Sequence, residues 1–505
     1  MRVDESVMVG QNAFTFATMG ENIDIMKYLD DQDSSLKFNF DTDGYTALTL
    51  AVKYTKTEIV KVLIDELEMD VGDFSRNIKT YGRNVFSLAA ESNNVETCRY
   101  LNDLNPNLKW EADMIGNSAL YLAAQHGNLE TLMFLVEEMG MTIGGGDPSG
   151  NSTSTRKKRA HNFDVELLSF VPHTNSTDYL LGHMGRNIFL SAAEGGKVEN
   201  LRYIDGLNPN LKYGKKAPNH EVTKGHENTA VTLAAQDSNR ATMQYLIVDM
   251  GLNITDIGYN GRNCFMLAIY GKQTGLLRFI DAKDPDQKFA IDDDKNTALT
   301  VAGGFADEKT FKLLIEDFGM NITTSKGFNG RNAFITAASR GNLETLRYMF
   351  SIDEDLVNTR DDKGTNALNA AAYAEYNSEG EYSVTLDQIA AFLDTVKALI
   401  EDMGMNPSET GFLDRNAFMS AVGGSQFATV LYLDAFNSTL KNAVDSFNDN
   451  PLTLAAFEAN LKTIQTLVEA PINFNTSLTG YKGRTAFSVA AEKGRIEVLK
   501  YLQFV

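Results

Sequence analysis

The chain has 505 residues, of which 43% are hydrophobic and 22% are charged, and its formal net charge is −21 at pH 7. A single compact core of this size would be unusually large, so we expect several domains or a repeat array. The negative charge makes nucleic acid a poor partner, and the lack of an apolar run of about 18 residues predicts no membrane insertion.

The N-terminal stretch and the cysteines give an indication of the cellular compartment. The N-terminal stretch MRVDESVMVGQNAF lacks the apolar core of a secretory signal. Cys98 and Cys264 are the only cysteines and lie far apart, which excludes a disulfide framework. These features favour the cytosol, while secretion of a processed chain stays open.

Two short motifs alternate along the chain. The first is G-R-N-x-F-x-x-A-A with variants, and it begins at Gly10, Gly82, Gly185, Gly261, Gly330, Asp414 and Gly483. The second is x-T-A-L-x-L-A-A with variants, and it begins at Asp43, Gly116, Glu227, Lys295, Gly364 and Asp449. Together they define thirteen repeats, numbered 1 to 13 along the chain, in which odd repeats carry the first motif and even repeats the second.

Each repeat has the pattern of two short helices. In repeat 9, Asn332 precedes an apolar stretch and can accept hydrogen bonds from the free amides of a helix. Phe334 and Ala338 follow at helical spacing, and the small alanine allows close packing of another helix. Gly341 ends this first helix, and NLETLRYMF begins a second. The same capping position holds Asn84, Thr46 and Thr297 in other repeats.

The segment DTDGYTALTLAVKYTKTEIVKVLIDELEMDV, which begins at Asp41, resembles an ankyrin repeat. The resemblance runs from about Gly10 to Val505 and implies an all-α repeat solenoid: about thirteen helix-turn-helix units stacked into a curved rod, with hairpin loops on one edge. The chain departs from the family pattern in two ways. Alanine usually replaces the family's proline, and its histidine is replaced, for example by Thr49, Tyr121 and Asn369.

Three segments interrupt the period of the repeats. We predict repeats 1–4 in residues 1–143, an inserted loop in 144–182, and repeats 5–13 in 183–505, with inserts near 212–226 and 373–392, all in one continuous solenoid. The basic run Arg156–Arg159 in the long loop fits an import signal, a cleavage site or a charged flexible loop, and the last interpretation is preferred.

No pattern in the chain suits catalysis. There is no phosphate-binding loop, nucleophile elbow or separate carboxylate pair, so we expect neither an enzyme nor a cofactor. The loop from His220 to Glu227 could hold a metal if it curled, but its spacing is not that of helical ligands. Solvated loop side chains are the preferred interpretation, and we predict no metal site.

The odd repeats share an arginine directly before the capping residue. These arginines are Arg83, Arg186, Arg262, Arg331, Arg415 and Arg484. Acidic residues occupy the turns of the even repeats: Asp43, Asp113, Asp293 and Asp362. A ladder of arginine–carboxylate pairs between repeats is the preferred interpretation, with about 0–1 kcal/mol for each exposed pair. A basic stripe that binds an acidic partner is the alternative.

Odd repeats also place a lysine before an aromatic residue that leads into the hairpin loop. The four candidate binding residues are Phe38, Trp110, Tyr213 and Phe289. Such rings would suit a partner surface, since interfaces often depend on aromatic anchors. Packing between neighbouring loops is the other interpretation, and it is slightly preferred.

The resemblance implies a non-catalytic scaffold that binds a protein partner along the concave face and hairpin loops. The acidic chain favours a partner with basic patches. The alternative is a structural subunit whose copies join head to tail into a filament through uncapped ends. The residues predicted at that end-to-end contact are Phe14, Phe16, Leu502, Phe504 and Val505.

Overall fold

A computed structural model describes residues 11–41, 43–54, 56–73, 75, 82–114, 116–143, 187–214, 228–237, 239–373 and 386–504. In this part of the chain, regular secondary structure is helical apart from isolated bridges such as that between Ala112 and Ser118. Several predictions fall outside the described residues: those for Arg186, Val505, the basic run Arg156–Arg159, the stretch His220–Glu227 and the loop 144–182.

Every repeat contains the predicted pair of helices. The first helices of repeats 1 to 13 are Ala13–Met19, Ala47–Lys53, Val85–Glu91, Ala119–Gln125, Ile188–Glu194, Ala230–Gln236, Cys264–Tyr270, Ala298–Phe305, Ala333–Arg340, Ala367–Tyr373, Ala417–Gly423, Pro451–Glu458 and Ala486–Glu492. The second helices are Ile23–Gln32, Thr57–Lys61, Val95–Leu104, Leu129–Met133, Val198–Leu207, Arg240–Gln244, Thr274–Lys283, Glu308–Lys312, Leu343–Ile352, Leu386–Glu401, Phe427–Phe436, Leu461–Val468 and Ile496–Leu502.

The second helices end differently in the two kinds of repeat. In repeats 2, 4, 6 and 8 they continue as a π-helical turn, which the sequence did not predict: Val62–Glu66, Phe134–Glu138, Tyr245–Asp249 and Leu313–Asp317. In repeats 1, 3, 5, 7, 9 and 11 a 3₁₀ turn follows in the hairpin loop: Leu36–Phe38, Leu108–Trp110, Pro209–Tyr213, Pro285–Phe289, Glu354–Asn358 and Leu440–Asn442. The 3₁₀ turns of repeats 1, 3, 5 and 7 hold the lysine–aromatic pairs.

The predicted helix caps are confirmed. Asn332 accepts a hydrogen bond from the backbone amide of Ile335, as expected for a capping side chain. In repeat 2, Thr46 caps the helix, and its own amide donates to the hydroxyl of Thr49. This reciprocal pair is a capping box, and it gives Thr49 a role at the position where the family pattern has histidine.

Glycines in the left-handed conformation end several helices. Gly341 has φ 70° after the first helix of repeat 9, and Gly319 has φ 64° after the second helix of repeat 8. Residues with a side chain are strained in this region, so glycine is the natural helix stop. The helix end predicted at Gly341 is confirmed.

Within residues 1–259, and separately within residues 260–505, the first helices of successive repeats pack side by side and form the core. Phe265, Phe334 and Phe418 of odd repeats are fully buried there. The packing is close, because a Cβ on Gly303 would lie 2.4 Å from the carbonyl oxygen of Ala333 in the next repeat. Helix pairs that bury their apolar faces only against neighbours make an all-α repeat solenoid, as predicted.

The chain divides into two compact parts, Met1–Tyr259 and Asn260–Val505. Within the first part, repeat 5 packs on repeat 4, and the Asn200 side chain donates to the Ala124 carbonyl at 3.1 Å. Within the second part, the second helix of repeat 10 has 16 residues, compared with 10 in repeat 9.

Candidate interaction surface

The arginine of an odd repeat reaches the first turn of the even repeat that follows. Its Nε lies 3.2–3.5 Å from an aspartate Oδ2 in four pairs: Arg83–Asp113, Arg262–Asp292, Arg331–Asp361 and Arg415–Asp445. The aspartate side chains are all buried. Two partners, Asp292 and Asp361, lie one residue before the acids expected from the sequence.

The fold of the turn explains which acid is used. Asp361 Oδ1 accepts the backbone amides of Lys363 and Thr365 at 2.9 and 2.8 Å, while Oδ2 faces Arg331. A buried carboxylate needs partners for both oxygens, and this position provides them. The positive charge of each of these four arginines is therefore paired with a carboxylate of the chain itself. This favours a ladder between repeats over a basic stripe that binds an acidic partner.

Arg484 and Asp43, which also belong to the predicted arginine and aspartate sets, do not form such a pair between repeats. Arg484 pairs with Glu492 of its own repeat. Asp43 has no arginine counterpart, because repeat 1 carries Gln11 at that position. In repeat 2 the turn is held instead by Asp41, whose Oδ1 accepts the amides of Asp43 and Tyr45.

Lysines form a second set of links that the sequence analysis missed. Lys37 Nζ lies 2.8 Å from Asp30 Oδ1 in its own repeat and donates to the Leu67 carbonyl of repeat 2 at 2.6 Å. The equivalent ion pairs within other odd repeats are Lys212–Asp205, Lys288–Asp281 and Lys441–Asp434. An aspartate seven residues before each lysine is the signal that could have revealed these pairs.

The aromatic residues beside these lysines point outward. Phe38, Tyr213 and Phe289 are at least half exposed, with Phe289 at 64%, and Trp110 is half-buried. In each pair the lysine nitrogen lies 5.4 or 5.5 Å from the centre of the neighbouring ring. Since the lysine is held against the chain, the ring stays on the surface of the hairpin loop. This exposure favours a partner surface over packing between loops.

A second row of rings lies on the turns of the odd repeats. Phe328, Phe412 and Tyr481 are partly exposed, and each lies three residues before the arginine of its own odd repeat. The turn brings the preceding glycine close to the previous repeat, and a Cβ on Gly327 would lie 2.7 Å from the Thr300 hydroxyl. The sequence signal is the recurring glycine–aromatic pair, as in GFNGR and GYKGR.

The turns and first helices of a compact part form one surface, which we call the turn side. In the second part it contains a groove of about 620 Å³. Aromatic residues of repeats 10 to 12 line this groove, including Tyr373, Phe412, Phe447 and Phe457. Concave, mostly apolar surfaces with a few polar groups are the usual form of ligand sites.

The residues predicted at an end-to-end contact fall into two groups. Phe14 and Leu502 are buried in their own repeats, so their side chains are not presented at a surface. Phe16 is half-exposed, and Phe504 is 84% exposed. Burial thus removes Phe14 and Leu502 from this set.

Other chemical groups were searched in the same residues. Within the described ranges, no three His, Cys, Asp or Glu side chains are grouped to hold a metal ion. Cys98 and Cys264 are buried and form no disulfide, and burial raises the pKa of the Cys98 thiol well above its ordinary value. None of the described helices is long and apolar enough to cross a membrane.

Comparison with known families agrees with the helix pairs and their turns. A family model for ankyrin repeats matches residues 2–75, 72–145 and 299–380. Residues 2–145 and 299–380 therefore carry ankyrin repeats. These repeats suggest a role in protein–protein interaction, and the buried Arg–Asp pairs are this chain's own way of linking them.

One curated protein with detectable similarity is alpha-latroinsectotoxin-Lt1a from Latrodectus tredecimguttatus. It is 22% identical to this ankyrin-repeat chain over 320 residues, which cover 59% of the chain and 21% of the toxin. The chain therefore spans about a fifth of the length of this relative.

Proposed function

We propose that the chain is a non-catalytic scaffold that binds a protein partner through its turn side and its hairpin loops. The observation that carries the proposal is the exposure of the hairpin rings, Phe38 and Tyr213 in the first compact part and Phe289 in the second. Each ring is anchored by a lysine that is itself fixed to an aspartate. Rigid aromatic side chains lose little conformational entropy on binding, which makes them good anchors.

The polar residues of the repeated motifs support a non-catalytic role. Asn332 is occupied with helix capping, and Arg331 and Asp361 are paired with each other across two repeats. These groups hold repeats together and leave a surface whose use depends on shape and exposed rings. The net charge of −21 favours partners with basic patches. The two buried cysteines form no disulfide, which suits the cytosol.

Photo-crosslinking tests this proposal. Benzoylphenylalanine would replace Tyr213 or Phe289 in the full chain, and the protein would be irradiated in an extract of its source organism. Tyr28 provides a matched control, because it is an exposed aromatic residue on a second helix. We expect discrete crosslinked products from the two hairpin positions and few from position 28. Equal labelling at all three positions would overturn the proposal.

Self-association of copies is the second candidate function. It is favoured by the exposed apolar side chains of repeat 13, namely Phe487, Ile496 and Phe504. A head-to-tail contact between repeats 13 and 1 would bring two odd repeats together, however, and would break the alternation. The scaffold function is therefore our conclusion.

A further inference from the structure

We propose that the groove of repeats 10 to 12 binds an extended, acidic peptide segment of a protein partner, with a bulky apolar side chain inserted between Tyr373 and Phe457. The inference rests on the scaffold function and assigns it one site and one class of ligand. It depends on four features of the groove: a glycine against which lining side chains pack, aromatic walls, an unpaired acceptor and unpaired cations at its rim.

The first helix of repeat 11 carries a glycine beside the groove. At the position of Gly423, other odd repeats carry side chains: Glu91, Glu194, Tyr270, Ser339 and Glu492. A Cβ on Gly423 would lie 2.9 Å from Glu458 Oε1 and 3.4 Å from the ring of Tyr373. Two residues that line the groove therefore lie against the helix backbone at Gly423, and a large side chain at this position would displace them.

Four aromatic side chains form the walls. Tyr373 and Phe457 come from first helices of neighbouring even repeats, while Phe412 and Phe447 come from turns. All four are about half exposed although they surround a common space. A bulky apolar side chain inserted among them would bury these rings, which is the typical arrangement of an interface hot spot.

An unpaired acceptor lines the same groove. Asn369 is 2% exposed, and its Oδ1 has no hydrogen-bond partner, whereas its amide nitrogen donates to the Glu409 carbonyl. The equivalent Thr300 and Thr453 have hydroxyls that donate to the backbone of their own helix caps. Buried polar atoms are rarely left unpaired, so this oxygen suits a backbone N–H of a bound peptide.

The charged residues at the rim of the groove indicate whether the ligand is acidic or basic. Lys363 lies 5.1 Å from the ring centre of Phe412, and Lys493 lies 3.9 Å from that of Phe457. Lys482 lies 5.0 Å from the ring centre of Tyr481. Among the described residues none of these three lysines has a carboxylate partner within ion-pair distance. Carboxylates of a ligand would form ion pairs with these three lysines.

The acidic groups of the groove are already engaged. Asp445 and Glu458 pair with Arg415, and Asp449 accepts the amide of Tyr481. A basic peptide would therefore have to compete for carboxylates that hold repeats together. The groove thus favours an acidic ligand, in contrast to the basic partner that the net charge of the whole chain suggests.

The test is a selection of random dodecapeptides displayed on phage against the immobilised full chain, followed by affinity measurement with synthetic, fluorescent copies. We expect enriched peptides with a large apolar residue flanked by Asp or Glu. The Gly423→Phe variant would displace Glu458 and the ring of Tyr373 from their places in the groove, and it should weaken peptide binding by about tenfold or more. The matched control is Gly206→Phe, because a Cβ on this helical glycine has nothing within 4 Å. The control variant should bind as tightly as the unaltered chain.

A second variant keeps the inference testable if Gly423→Phe disturbs the fold. Reversal of charge at Lys363, Lys482 and Lys493 to glutamate changes only the groove's rim and should weaken binding by about tenfold or more. Selection of basic peptides, failure to select any peptide, or unchanged binding in both variants would overturn the inference. If the selected peptides bound both variants as tightly as the unaltered chain, the groove site would be wrong, but the scaffold function would not be contradicted. Failure of the hairpin crosslinks would count against the scaffold function itself.

Discussion

Repeat 9 meets its two neighbours with different chemistry. Toward repeat 10, Arg331 places its charge 3.2 Å from the buried carboxylate of Asp361. Toward repeat 8, Asn342 donates its amide nitrogen to carbonyls at the end of the preceding first helix, Gly303 at 2.9 Å and Ala306 at 2.8 Å. An odd repeat is thus joined to the next even repeat by buried charge, and to the previous even repeat by hydrogen bonds that close a helix end.

Other junctions follow the same division. Arg83 and Asp113 join repeats 3 and 4, whereas Asn200 donates to the Ala124 carbonyl between repeats 4 and 5. The alternation of motifs therefore corresponds to an alternation of interfaces. It identifies the odd–even pair, rather than the single repeat, as the natural unit of stability, since repeat arrays are stabilised by neighbour interfaces.

The largest expected effect comes from removing a buried carboxylate. Asp361→Ala removes the buried carboxylate that pairs with Arg331 and an acceptor for two turn amides. Loss of one member of a buried pair costs about 3–5 kcal/mol, so we expect the free energy of unfolding to fall by about that amount. Urea unfolding of the full chain, with hydrogen exchange of repeats 9 and 10, measures the change.

The matched control for this variant is Asp402→Ala. Asp402 pairs with Arg347 between repeats 9 and 10, but the two side chains are 55% and 57% exposed. An exposed pair contributes about 0–1 kcal/mol. If both aspartate variants were equally stable, the buried ladder would not distinguish the two kinds of junction.

The capping asparagine of the odd repeats comes next in expected effect. Asn263 caps its helix through the amide of Met266 and also donates to the Gln287 carbonyl at 2.7 Å. Asn263→Ala loses both interactions, and we expect a loss of about 1–2 kcal/mol in thermal unfolding. Asn263→Thr keeps the cap, as Thr485 does in repeat 13, and should lose less. Equal stability of the threonine variant and the unaltered chain would show that the carbonyl contact contributes nothing.

A smaller, pH-dependent effect is expected at the junction of repeats 8 and 9. Burial, together with the hydrogen bond to Glu316, raises the pKa of Tyr348 to about 12. Because the folded pKa lies above the ordinary value of about 10, this group's contribution is present below pH 10 and is lost as the pH rises to about 12. Tyr348→Phe should reduce the alkaline loss of stability in that window.

Phenolate absorbance checks this prediction directly. Glu316→Gln removes the charged acceptor but keeps the burial, so the pKa of Tyr348 should fall without reaching its ordinary value. An unchanged absorbance titration in the Tyr348→Phe variant would contradict the assignment.

The sequence predicted the parts of this fold that depend on local chemistry. Asn332 as a cap and Gly341 as a helix stop follow from spacing alone, because each acts within a few residues of itself. The choice of Asp361 over Asp362 depends on the path of one turn, where a single residue decides which carboxylate faces inward. The link from Lys37 to Leu67 and the close approach of Glu458 to Gly423 depend on contacts between repeats, which a periodic pattern does not reveal.

The smallest expected effect concerns association between copies. The odd-to-even junctions join an arginine to a buried turn aspartate of the next repeat, and Arg484 of repeat 13 pairs instead with its own Glu492. Repeat 1 is also odd and offers no such turn to a second copy. We therefore expect a single sedimenting species at low and high concentration, unchanged in Phe504→Asp. The control is Phe436→Asp, which changes an exposed side chain on a second helix. If polymers formed at high concentration, disappeared in Phe504→Asp and persisted in the control, two odd repeats would be able to join without the buried pair.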